Sequence, residues 1–168
     1  MENISEPASD GVRRAFRVVA RPALLGFLGG TLAIGVLGML ASSTGLPLLI
    51  APFGASSVLL FAAPDSAFAQ PKNLVLGHLI ASAVGLAVVA VGGVGIWQMA
   101  VAVGLAIAAM QLTRTVHPPA GADPLVIMLA GGVSAQFLIV PVLAGVLSLL
   151  LIALLFNNVV RGERWPRR

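Results

Sequence analysis

Thr113-Arg114-Thr115-Val116-His117-Pro118-Pro119-Ala120-Gly121-Ala122-Asp123-Pro124 sets an arginine, a histidine, an aspartate and three prolines between two apolar runs, Ile96–Leu112 and Leu125–Ala130. Prolines at this density stop a helix, and the freed backbone groups then need partners inside lipid. Charged side chains at such a depth need partners too. The stretch therefore predicts a polar break buried within a membrane domain.

The remaining chain supplies the burial. It has 168 residues and a mean hydropathy of +1.02, and 10% of its residues are charged, against about 25% in soluble domains. At about 20 apolar residues per spanning helix, this length allows roughly four to six crossings. The expected fold is all-α, a polytopic membrane helical bundle of six apolar segments: Ala23–Ala41, Leu46–Ala63, Leu74–Val94, Ile96–Leu112, Leu125–Ala130 and Phe137–Phe156. Arg13, Arg14, Arg17 and Arg21 precede the first run, and Arg161, Arg164, Arg167 and Arg168 follow the last. Positive charge beside membrane ends favours the cytoplasm. This predicts a multi-pass inner-membrane protein with both termini cytoplasmic. The net charge of +4 is accounted for by these ends and the lipid bilayer, not by nucleic acid. Residues 1–22 read as a cytoplasmic tail, with Val12–Ala20 as a short surface helix. Residues 23–157 read as the membrane domain and 158–168 as a basic cytoplasmic tail. The first apolar run exceeds a signal-peptide core in length and reads as a retained helix.

A second break, Ala51-Pro52-Phe53-Gly54-Ala55-Ser56-Ser57, interrupts segment two. Its simplest reading is a helix that starts near Pro52, since proline fits a first turn and disrupts an interior. One kinked helix is the alternative. Pro52-Phe53-Gly54-Ala55 recurs as Pro119-Ala120-Gly121-Ala122, 67 residues later, each followed by an apolar run. Each half thus reads as a long helix, a Pro-x-Gly-Ala break with a short helix, and another long helix. Three crossings per half would make the repeat inverted, a plan used by transporters. Re-entrant short segments would instead leave four crossings and parallel halves. With all six crossing, Lys72 and Arg114 fall on the side of the termini.

Helix starts expose N–H groups and the positive dipole end, and glycine lets a ligand approach the backbone. Pro52, Gly54, Ser56 and Ser57 in one break, and Arg114, His117, Pro118, Pro119 and Gly121 in the other, are therefore candidates to bind a small anion. Their local alternatives are capping for the serines and membrane-face anchoring for Arg114. His78, His117 and Asp123 are candidates for proton coupling, because histidine titrates near neutral pH. For His78 alone, a hydrogen-bonded packing role in an apolar helix is the simpler account. Without cysteine, clustered metal ligands or paired carboxylates in one segment, the sequence argues against catalytic residues, a metal, a cofactor or an enzyme.

At these residues the chain resembles the HPP family of small integral membrane proteins, whose His-Pro-Pro is here His117-Pro118-Pro119. The resemblance runs from about Arg21 to Phe156. It also rests on Ala51–Ser57, Pro64-Asp65-Ser66, Ala69-Gln70-Pro71-Lys72-Asn73, Gly77-His78 and Leu112–Ala122. It implies four spanning helices and, from chloroplast and cyanobacterial members, nitrite as the transported anion. Some members carry CBS domains, for which this length leaves no room. Abundant Gly and Ala faces suit a homo-oligomer, and a non-transporting membrane assembly module is the competing function.

Overall fold

Proline placement decides where the helices begin. In the computed structural model, which describes the backbone of residues 6–167 and the side chains of residues 18–167, three of the six α-helices carry proline in their first turn. They are α2 (Ala51–Ala62), α3 (Pro71–Gly92) and α5 (Asp123–Leu129). Ile50, before α2, is extended at φ −120° and ψ 150°. Segment two is thus a break followed by a helix, and the kinked-helix alternative fails. The others are α1 (Glu6–Thr44), α4 (Ile96–Leu112) and α6 (Ala144–Leu155). A 3-10 turn, Pro118–Ala122, leads directly into α5.

Lengths separate two classes of segment. Three helical stretches, Val18–Thr44, Pro71–Gly92 and Ala135–Val160, are long and apolar enough to cross a bilayer. At 1.5 Å per residue, α4 with its 17 residues rises about 25 Å, near the roughly 30 Å hydrocarbon core. The 12 residues of α2 and 7 of α5 reach only about 18 and 10 Å, less than that depth. Segment six has an interruption of its own: Val140 is extended at φ −133° before Pro141, the conformation a following proline favours.

Packing contacts fix the directions. The end of α2 lies on the early part of α1, where Gly26 and Gly29 face Phe61, so α2 returns toward the start of α1. At the far end of α3, Gly92 meets Gln98 on α4, while Gly77 lies beside Thr115 after α4, so these two are antiparallel. Gly85 approaches Pro124 and Gly132 approaches Val89, so α5 runs alongside α3. The helical turn Phe156–Val160 that follows α6 comes back to α2, where Asn157 and Arg161 donate to the carbonyls of Leu60 and Phe61. Up-down-up is therefore followed by down-up-down, an inverted arrangement of three segments per half.

Both halves use a glycine to admit the other's break. An added Cβ at Gly77 on α3 would sit 2.6 Å from the Cβ of His117, and one at Gly145 on α6 would collide with the Phe53 ring. The main core lies between α1, α2 and α6, around Phe53, Leu60, Phe61, Leu149 and Phe156.

Among the described residues, every charge except Asp123 gathers at one end of the bundle. Arg21, Asp65, Lys72, Arg114, Arg161, Glu163, Arg164 and Arg167 flank the helix ends there, and the loops at the opposite end carry none. Lys72 and Arg114 share that end with the described terminal segments, the placement expected if all six segments cross. Two tail boundaries move. From Glu6 onward the expected N-terminal tail is the first part of α1, with Pro22 inside it, while residues 1–5 lie outside the described ones. The C-terminal residues fold back: Trp165 is buried in the core, Asn158 bonds its N–H and carbonyl, and Arg167 pairs with Asp65 at 2.6 Å.

Candidate functional site

Ser56 sits one turn into α2, and its hydroxyl lies 2.9 Å from Nε2 of both His78 and His117. His78 comes from α3 and His117 ends the extended leg before the second short helix. The far nitrogen of His117, Nδ1, is 2.7 Å from the carbonyl oxygen of Phe68 in the connector between α2 and α3. The far nitrogen of His78 is 2.8 Å from Oδ2 of Asp123, the first residue of α5, and Ser82 donates to the same oxygen at 3.1 Å. One hydrogen-bonded chain thus runs from Phe68 through His117, Ser56 and His78 to Asp123 and Ser82. Ser56, His78, Ser82, His117 and Asp123 are all fully buried.

The helix geometry explains this convergence. His78 and Ser82 are four apart on α3 and share a face, about 10 and 16 Å along the helix from its first residue. That depth lies inside the hydrocarbon, where polar groups persist only with partners. Gly77 lets the second break come close enough for His117 to reach Ser56. The Phe53 ring stands edge-on to His78, with centroids 5.4 Å apart, and restricts its tilt. Asn73 donates to the carbonyl of Val116 at 2.8 Å, satisfying backbone that the break leaves without a helix partner. One atom of the cluster has no hydrogen-bond partner, Oδ1 of Asp123.

The candidate anion ligands do not gather in one place. The two breaks meet, but side chains fill the meeting point, and the contact is at Ser56 rather than at the first N–H groups of α2. A pocket shared by two helix starts is therefore not what the bundle builds. Pro52 and Pro119 are buried and shape backbone. Ser57 donates back to the carbonyl of Phe53 within its own helix, at 2.9 Å. Gly54 and Gly121 have nothing within 4 Å on their open side. Gly54 and Ser57 line a groove between α1 and α2, and Gly121 and Pro118 line another along α4. These two grooves occupy corresponding places in the two halves. Arg114 is exposed at the charged end, with a left-handed φ of 54°, outside the cluster.

Of the candidates, then, Ser56, His78, His117 and Asp123 come together. His78 is the hub of the cluster, fully buried and hydrogen-bonded at both ring nitrogens. Ser82, the Phe68 carbonyl and Asn73 were not among the candidates. Ser82 had a readable signal, its four-residue spacing from His78; the Phe68 carbonyl had none, because any residue carries one. No group of three or more His, Cys, Asp or Glu among the described residues is arranged to hold a metal.

The family model for the HPP transmembrane region matches residues 16–166. Two Dictyostelium discoideum proteins, both described only as transmembrane proteins, are similar in sequence. One is 40% identical over 125 residues, which is 70% of this chain and 40% of its own length. The other is 38% identical over 130 residues, 72% of this chain and 45% of its own length. The chain thus spans less than half the length of these relatives. No solved structure matches it.

Proposed function

This chain belongs to the HPP transmembrane family, and we propose that it transports a small monovalent anion, nitrite being the family-based choice. The observation that carries the proposal is the junction of two interrupted segments from opposite halves at a buried polar cluster. Ionisable groups buried at membrane depth cost free energy, and in membrane proteins they mark ion and substrate paths. Broken helices of inverted halves meeting around a polar centre are a recurrent transporter plan. Charge supports an anion: Arg21, Lys72, Arg114, Arg161, Arg164 and Arg167 outnumber Asp65 and Glu163 at the charged end. Such an excess concentrates anions at that mouth. His78, His117 and Asp123 supply the titratable groups for moving protons with the anion. By the bias of positive charge, the charged end faces the cytoplasm of an inner membrane.

Purified protein in liposomes tests the reading. Nitrite uptake that follows an imposed proton gradient is the expected result; absence of flux for nitrite, nitrate, formate and chloride by folded protein would remove it. A second reading, a non-transporting assembly module, is favoured by Gly35 and Gly38 on α1 and Gly104 on α4. All three face outward with nothing within 4 Å, leaving small-residue faces open to a partner helix or a second copy. That reading expects no flux at all.

A further inference from the structure

We propose that one shared proton fastens the two broken segments together through Ser56, and that its loss releases them. Every link in the cluster needs one hydrogen. A carbonyl oxygen only accepts, so Nδ1 of His117, facing Phe68, carries a hydrogen. The Ser56 hydroxyl has one hydrogen and faces two ring nitrogens, so it donates to one, and the other must donate to it. The link from His78 to Asp123 needs one hydrogen more, on either side.

Three arrangements fill every link. In the first, His78 is an imidazolium, Asp123 a carboxylate and His117 neutral. In the second, His78 is neutral with its hydrogen on Nε2, and Asp123 is protonated. In the third, His117 is the imidazolium, His78 is neutral with its hydrogen on Nδ1, and Asp123 is a carboxylate. All three hold the same number of protons and carry no net charge, as a fully buried cluster in lipid requires. Passing to the third from the first needs only that Ser56 take a proton from His78 and give its own to His117.

Removing one proton leaves two neutral imidazoles and a carboxylate. The carboxylate keeps the Nδ1 hydrogen of His78, since charge-assisted bonds are the stronger ones. Both Nε2 atoms then present lone pairs to a single hydroxyl, and one link of Ser56 opens. Ser56 stands on the first broken segment and His117 on the second, so the direct link between those two segments is the one freed when Ser56 stays with His78. The cluster also becomes a buried anion, which draws in water. Among the described residues, no other titratable group bonds to it. Asp65, Glu163 and the described arginines and lysine stand at the charged end, and the described side chains of α1, α4 and α6 place no charge against the cluster.

This deepens the transport reading by naming the coupled ion and the contact it controls, and its test needs no transport. The chain holds two histidines, so 15N-histidine labelling of the full chain in nanodiscs follows both rings without a variant. One Nε2–H signal is expected on the acid side, lost on the alkaline side as both rings shift in one step. An Nε2–H that persists at every pH, or wild-type rings that shift in separate steps, would overturn the proposal. Ser56→Ala is expected to split the single step in two; an unchanged single step would overturn it as well. The natural chain lacks cysteine, so Ala120→Cys reports opening: a hydrophilic maleimide should label this fully buried position only above the transition. Labelling that ignores the transition would refute the release. Protein that shows these signatures without moving any anion sinks the transport reading alone; nitrite flux without them sinks the fastener alone.

Discussion

Ser56 and His117 lie 61 residues apart in sequence and 2.9 Å apart in space, and their contact ties the first broken segment to the second. Because Ser56 also holds His78, and His78 holds Asp123, one serine hydroxyl closes a chain that binds both halves.

Asp123→Asn keeps the shape of the side chain and removes the group that shares the proton. The amide oxygen can still accept from Ser82 and from Nδ1–H of His78. Folded protein is expected at wild-type yield, with the pH dependence of nitrite uptake flattened. The measurement is initial uptake rate against pH in liposomes, and a profile identical to wild type would remove Asp123 from the coupling.

Gly77→Ala and Gly145→Ala put a methyl group into the backbone and side chains of the opposite half's break. Overpacking of this kind costs about 1–3 kcal/mol. Gly54→Ala meets open space, and the gain in helix propensity, up to about 1 kcal/mol, should offset or exceed any loss. Thermal unfolding in detergent should rank Gly54→Ala at or above wild type and the other two below it.

Arg161→Ala and Asn157→Ala remove the donors that the turn after α6 supplies to the last carbonyls of α2. A buried acceptor left unpaired costs about 1–3 kcal/mol. Arg161 also faces the negative end of the α2 dipole, so its loss should be the larger. Equal stability of both variants and wild type in a denaturant series would show that water replaces these bonds.

Arg114→Gly separates backbone from charge. A left-handed conformation costs a non-glycine residue roughly 1–2 kcal/mol, so glycine at φ 54° should not destabilise the fold. If the exposed arginine draws anions to the charged end, the substitution should raise the KM for nitrite with little change in maximal rate. A change in maximal rate alone would place its role elsewhere.

Much of the architecture was written in local chemistry. Pro52, Pro71 and Pro124 each fix a helix start through a missing N–H and a locked φ, which act on neighbouring residues whatever the tertiary context. Hydrophobic runs and terminal arginines likewise specify six segments and the end of the bundle that carries charge, because each responds to lipid or water directly. The two short helices at the Pro-x-Gly-Ala breaks, α2 with 12 residues and α5 with 7, are legible for the same reason. Partner choice was not. Whether Ser56 would bond within its own helix, as Ser57 does to the Phe53 carbonyl, or reach a histidine in the other half depends on how near α3 lets the second break come, and Gly77 sets that distance. Arg114 reads as a ligand in sequence because it immediately precedes the Thr115-to-His117 leg, yet one left-handed residue turns it to the surface. Spacing along a chain encodes helix faces, but contacts between broken segments are fixed by packing across the bundle, and only the assembled fold supplies it.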